Sequence, residues 1–324
     1  MPPARPRFED LPLNKGDPPF SAWGLYGKDD NLGTLNLLTP EVVIEAAKEI
    51  RTGMRVGLDF PVNYLAHPTH NRKEFEHKII WKQPRAVHDD EVAFNTQISS
   101  QWDGFAHYGY QKEMLWYNGK TQPQISGSEA KGAVGIDAWC SQGIVGRGVL
   151  LDYYAWRQQQ GKPYEVLSTH AITVEELKAC AAAQGTELKQ GDILFVRCGW
   201  AAVYEALSED DKNAWCDMSP TKWAGVKTCA DTVRWLWETG FSAVAGDAGG
   251  FEQIPWPSDA DGLGKYHLHE ILLGGWGMPI GEIFNLERLS EECAKQKRYS
   301  FFLASVPLNV PNGCASPPNI VAVF

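Results

Sequence analysis

Gln97, Ser99, Ser100, Gln101, Asp103 and His107 crowd into one short segment, NTQISSQWDGFAHYGYQ, at positions 95–111. An aspartate four residues from a histidine can work as an acid/base pair, because one group holds charge while the other exchanges a proton near neutral pH. Glutamine and aspartate oxygens can also ligate a hard cation. In an extended chain alternate side chains share a face. Gln97, Ser99, Gln101 and Asp103 would then form a polar stripe, with Ile98, Ser100 and Trp102 behind it.

Other catalytic patterns are weaker. The glycines at 143, 146 and 148 lack the dinucleotide spacing, and GDAGG at 246–250 has no P-loop lysine, so no nucleotide cofactor is expected. Ser99 and Ser100 stand outside any G-x-S-x-G elbow and are assigned to substrate contact instead. Cys198 is weighed as a nucleophile against a buried, inert thiol. Asp247 ends a strand at a glycine turn, a position that suits either a substrate contact or an Asx turn. His67 and His70 form a weak H-x-x-H spacing in a proline-containing loop, and His88 and His170 read as polar loop residues.

These side chains need a scaffold, and its elements are legible. LTPEVVIEAAKEIRTG predicts a helix with Thr39 as N-cap, Pro40 at the first helical position and Gly53 past the end. A strand is expected over about 148–153. ITVEELKACAAAQG predicts a helix with a Thr173/Glu176 capping box and Gly185 as its stop. GDILFVRCGW and FSAVAGDAGG read as strands, a helix is expected over about 220–239, and RYSFFLASVPLNV reads as a late strand. The alternation is mixed α/β without a linker, so residues 21–324 are expected to form one catalytic domain behind a proline-rich arm at 1–20.

SQWDGFAHYGY resembles the signature H-x-G-T-H-x-D-x-P-x-H of the cyclase family that includes bacterial kynurenine formamidase and isatin hydrolase. Gln97 and Gln101 stand at its first two histidines, Ser99 and Ser100 at its Gly-Thr, Asp103 at its aspartate, and His107 at its last histidine. WGLYGKDDNLGTLNLLTPE, GDILFVRCGW and GCASPPNIVAV are similar to other family segments, and HEILLGGWGMPIGEIFNLERL keeps the family's histidine and glutamate as His269 and Glu282. The resemblance implies a swivelling β/β/α fold with a central mixed sheet or barrel and peripheral helices. It implies that a divalent metal at the signature activates water against an amide, lactam or lactone carbonyl. It further implies that the last histidine exchanges protons as general base or acid, and that His269 and Glu282 match residues that in some members hold a second metal or face the first.

The glutamines divide that expectation. Imidazole suits zinc, whereas amide and carboxylate oxygens suit Mg²⁺ or Mn²⁺. Gln97, Gln101 and Asp103 therefore make either a weaker, oxygen-rich metal site or a metal-free one. In the metal-free case Asp103 and His107, with His269 and Glu282, would run a cyclisation, dehydration or isomerisation. A noncatalytic ligand-binding relative is the third alternative.

The chain of 324 residues carries 40 acidic and 30 basic side chains, with no long block of one sign. That predicts no nucleic-acid or membrane partner and a small, uncharged or cationic one. Thirteen tryptophans predict an aromatic core and a pocket for a flat or apolar molecule, with Trp102 and Trp276 assigned to the substrate. Seven cysteines without metal spacing, and no apolar leader in MPPARPRFEDLPLNKGDPPF, lead to the expectation of a cytoplasmic protein with free thiols. By analogy with relatives, a homo-oligomer, commonly a dimer, is expected.

Overall fold

The computed structural model describes residues 5–127, 129, 133–257 and 261–324. Nine strands share one mixed sheet: β1 (Arg55–Gly57), β2 (Gln101–Asp103), β3 (Ile144–Leu151), β4 (Ile193–Val196), β5 (Ala243–Gly246), β6 (Ile280–Glu282), β7 (Ser300–Ser305), β8 (Ala315–Ser316) and β9 (Ile320–Val323). Across the sheet they run β1, β9, β7, β3, β4, β5, β6, β2, β8, and the sheet curls into a half-barrel flanked by helices. This is the mixed α/β architecture expected of the cyclase resemblance.

Strands β3 to β6 are mutually parallel, and the remaining pairs are antiparallel. Parallel neighbours need crossover connections, which explains the strand and helix rhythm of the sequence. Helix Val174–Gln184 lies between β3 and β4 in the chain, and helix Ala230–Thr239 between β4 and β5; the two helices also touch each other. All residues of β4 and β5 are buried, as strands covered on both faces require. Each Ile, Leu, Val or Phe so buried contributes about 1.5–3 kcal/mol.

Local signals in the sequence decide several boundaries. Thr39 accepts from the Val42 amide at 3.3 Å, and helix Pro40–Ala46 follows, relaxing into a 3₁₀ turn at Ala47–Glu49. The Thr173/Glu176 capping box is formed, and Gly185 ends its helix at φ +63°. Two expectations are corrected. The strand placed at about 148–153 begins earlier, and Asp152 caps a helix at Tyr153–Gln159 by accepting from the Ala155 amide. The helix placed at about 220–239 starts only at Ala230, because Gly225 and Val226 pair in parallel with Ala171 and Ile172 and Trp223 bridges to Ile254.

Strands Glu76–Trp81 and His88–Ala93 form a separate two-stranded hairpin whose base lies next to Arg72 and Gln97. All seven cysteines are free thiols. Cys198 is fully buried, and burial together with the Asp247 carboxylate raises its pKa well above the ordinary thiol value, which removes it as a nucleophile. Among the described residues no helix is long and apolar enough to cross a membrane.

Candidate active site

Strands β2 and β6 pair antiparallel, with Gln101 opposite Glu282 and Asp103 opposite Ile280. The two-residue period of a strand therefore turns Gln101, Asp103 and Glu282 to one face, and Trp102 with Gly281 to the other. Gln101 Nε2 bridges the two carboxylates, donating to Glu282 Oε2 at 2.8 Å and to Asp103 Oδ1 at 3.2 Å. Residues 97–100 are not strand, which corrects the four-residue stripe: the Gln97 amide donates to Asn95 Oδ1 at 3.0 Å and closes a turn instead. Gln97 still reaches the cluster. Its Nε2 donates to Asp103 Oδ1 at 2.9 Å and lies 3.1 Å from each ring nitrogen of His107.

His269 comes to the same place from the chain just before a buried π-helical turn, Glu270–Trp276. Its Nε2 lies 3.0 Å from Glu282 Oε1 and its Nδ1 2.8 Å from Glu252 Oε1. Glu252 is fully buried and also accepts from Thr228 Oγ1, Trp256 Nε1 and the Leu268 and His269 amides. No spacing in the sequence singles out Glu252, because its partner lies in a segment joined to it only by the fold. We expect Glu252→Ala to lower kcat/KM about 10- to 100-fold, the usual effect of losing a partner that orients a site histidine. A ¹⁵N chemical shift of His269 that stays unchanged in the variant would refute this positioning role.

Burial and charge pull these groups in different directions. Burial lowers the pKa of His107, outweighing the nearby Asp103 carboxylate, so its imidazole is neutral at neutral pH. Burial would do the same to His269, but its hydrogen bonds to Glu252 and Glu282 prevail and raise its pKa well above the ordinary value. Glu282 is pushed up to about 7 by burial and by the Asp103 charge. Glu252 is held below the usual carboxylate range, because its bonds with His269 overcome its burial.

Asp103, His269 and Glu282 offer ligand atoms that all lie within 4.8 Å of one another. Two buried oxygens beside them, Gln101 Oε1 and Asp103 Oδ2, have no hydrogen-bond partner among the described residues. An unpaired buried acceptor costs about 1–3 kcal/mol, and a cation would recover it. The donors are mostly oxygen, so the residues fit a hard divalent ion such as Mg²⁺ or Mn²⁺ rather than zinc. Ligation through His269 Nε2 requires that the ring first lose the proton it shares with Glu282.

The cluster opens into a cavity of about 630 Å³ that His107, Glu252, His269 and Glu282 all line. The structure does not bring every expected substrate contact there. Trp102 is buried behind β2, where its Nε1 donates to Ser305 Oγ and its ring packs edge-on against Phe284. Ser99 Oγ donates to the Pro61 carbonyl and Ser100 Oγ to the Ile283 carbonyl, which fastens the turn before β2. Trp276 Nε1 donates to the Phe20 carbonyl, and its ring lies 5.0 Å from that of Trp237. Asp247 accepts from the amides of Cys198, Gly199 and Trp200. The aromatic lining comes instead from Tyr108, Trp223 and Trp256, and His67 and His70, read from the sequence as loop residues, also face the cavity.

The family model described as "Putative cyclase" matches residues 38–253, a span that holds Gln97 to His107 and Glu252 but ends before His269 and Glu282. No curated protein sequence matches the chain. Among solved structures, one described as a novel cyclase is 30% identical, with a TM-score of 0.81 and coverage of 94% of this chain and 99% of that one. Isatin hydrolase A from Ralstonia solanacearum is 17% identical at a TM-score of 0.59, covering 88% and 98%. A protein from Bacillus stearothermophilus described as a predicted metal-dependent hydrolase is 14% identical at a TM-score of 0.51, covering 84% and 98%. The latter two show a shared fold. The family match over most of the chain, joined to the 30% identical structure that aligns with nearly all of it, places this protein in the cyclase family.

Proposed function

We propose that the protein is a hydrolase of a small cyclic or acyl carbonyl compound, an amide, lactam or lactone. The observation that carries this reading is the convergence of Asp103, Glu282 and His269 beside His107, with Glu282, His269 and His107 opening to one cavity and two buried oxygens left unpaired among the described residues. The isatin hydrolase and the predicted metal-dependent hydrolase that share the fold support it. Asp103, Glu282, His269 and Gln101 Oε1 would hold a divalent cation. When bound, that ion supplies Lewis-acid polarisation of a carbonyl and lowers the pKa of water.

The chain's own residues do the rest. Neutral His107 accepts the proton of the attacking water, and Asp103, 3.8 Å from His107 Nε2, stabilises the imidazolium that results. The same ring then returns the proton to the leaving nitrogen or oxygen. Glu252 fixes the His269 ring, and His269 in turn fixes Glu282. Tyr108, Trp223 and Trp256 shape an apolar wall for a flat substrate.

Acid/base groups alone supply about 10² to 10⁴ in rate, modest for an unactivated amide, which is why the hydrolytic reading includes a cation. Protein purified without chelator is expected to carry about one divalent ion by elemental analysis, to lose activity in EDTA and to regain it with Mn²⁺ or Mg²⁺. Full turnover in EDTA by metal-free protein would remove the ion from the mechanism. That result would support a second reading, which one observation favours: the Gln101 amide already donates to both Asp103 and Glu282, so the two carboxylates have a partner within the chain. The site would then be a metal-independent cyclase, dehydratase or isomerase.

A further inference from the structure

We propose that the cavity selects a planar substrate bearing a carboxylate or similar anionic group, and that Arg72 is the residue that recognises it. This inference rests on the reading of the same cavity as a substrate site and adds the substrate's charge. Arg72 lines the cavity, and its Nη1 donates to the carbonyl of Gln97 at 2.5 Å, which ties the guanidinium to the segment that carries the reacting groups. A guanidinium has five N–H donors in a planar fork that matches a carboxylate.

Three other arginines of the fold spend that fork internally. Arg147 and Arg298 bind Glu49, and Arg197 binds Asp152 and Glu287. Arg72 has no carboxylate within ion-pair distance among the described residues and faces open space instead. The acidic groups of the cavity wall do not claim it, because Glu252 and Glu282 share His269 between them. His67 pairs with the remaining acid of the lining, Asp217, at 3.4 Å.

The rest of the lining sets the shape of the ligand. The Tyr108 ring lies 6.4 Å from that of Trp256 and 5.5 Å from that of His269. Trp256 is held in turn by its bond to Glu252 and by stacking on His267 at 4.3 Å. Held aromatic faces accept a flat ring at small entropic cost. Net charge of −10 predicts a neutral or cationic partner, but charges on the outer surface are screened within about 10 Å, so the local preference depends on Arg72 together with the lining acids Asp217, Glu252 and Glu282.

The test is calorimetric titration with 2-naphthoate and its neutral isostere 2-naphthamide, in buffer containing EDTA. The native protein is expected to bind the acid at least about tenfold more tightly than the amide, the usual worth of a charge-assisted hydrogen bond. In Arg72→Gln the two probes should bind within about twofold of each other, and Arg72→Lys, a charge without the fork, should show an intermediate preference. Equal binding of acid and amide by the native protein, survival of the preference in Arg72→Gln, or no binding of either probe at millimolar concentration would each overturn the proposal. Binding needs no turnover, so a protein that hydrolyses nothing could pass this test, and a true hydrolase could fail it.

Discussion

His107→Ala is expected to lower kcat/KM on an amide, lactam or lactone substrate by roughly 10³, because the ring is the neutral base positioned beside Asp103 and open to the cavity. The fold should tolerate the change. His107 lies in no strand, and the polar contacts of its ring are with Gln97 and Asp103, beside the Tyr108 ring at 6.0 Å. Asp103→Asn should cost at least as much, since it removes the charge that stabilises the imidazolium and one of the proposed ligands. Groups that act as a unit are strongly non-additive, so the double variant should be little worse than the poorer single one. Additive losses would separate the two residues into independent roles, and an active His107→Ala enzyme would end the assignment.

Asp247→Ala is expected to destabilise the protein by about 3–5 kcal/mol, the range for breaking a buried hydrogen-bond network. Its carboxylate accepts three backbone amides, from Cys198 at 2.7 Å, Gly199 at 2.8 Å and Trp200 at 2.9 Å. Those amides open helix Trp200–Glu205, whose free N–H groups have no carbonyl to meet, and the carboxylate also favours that end of the helix electrostatically. Denaturant unfolding of the native and variant proteins measures the difference. A change under about 1 kcal/mol, with weaker ligand binding, would return Asp247 to the substrate-contact role that its glycine-rich surroundings first suggested.

Tryptophan shows the limit of composition as a guide. Most of the thirteen residues divide between core and cavity, with Trp81 exposed on the separate hairpin, but composition cannot say which are which. Trp102 belongs to the strand that carries Gln101 and Asp103, and the same alternation that turns those two toward Glu282 and His107 turns Trp102 to the opposite face, into the core. Trp256 sits in a loop with no periodicity to read, and it reaches the cavity wall through its bond to Glu252.

The segment at positions 95–111 divides in the same way. Its residue types and its likeness to the cyclase signature, with the similar segment around His269 and Glu282, sufficed for the family and for naming Asp103, His107, His269 and Glu282 as the residues to watch, and the strand and helix alternation for the mixed α/β fold. Helix caps and buried strands were legible too, since each depends on neighbours a few positions away. The tertiary structure alone decided that Glu282 stands opposite Gln101, that Glu252 holds His269, and that Arg72 faces the cavity without an acidic partner among the described residues. The reason is physical: a strand's period determines which side chains share a face, but only pairing between distant strands determines which face meets which.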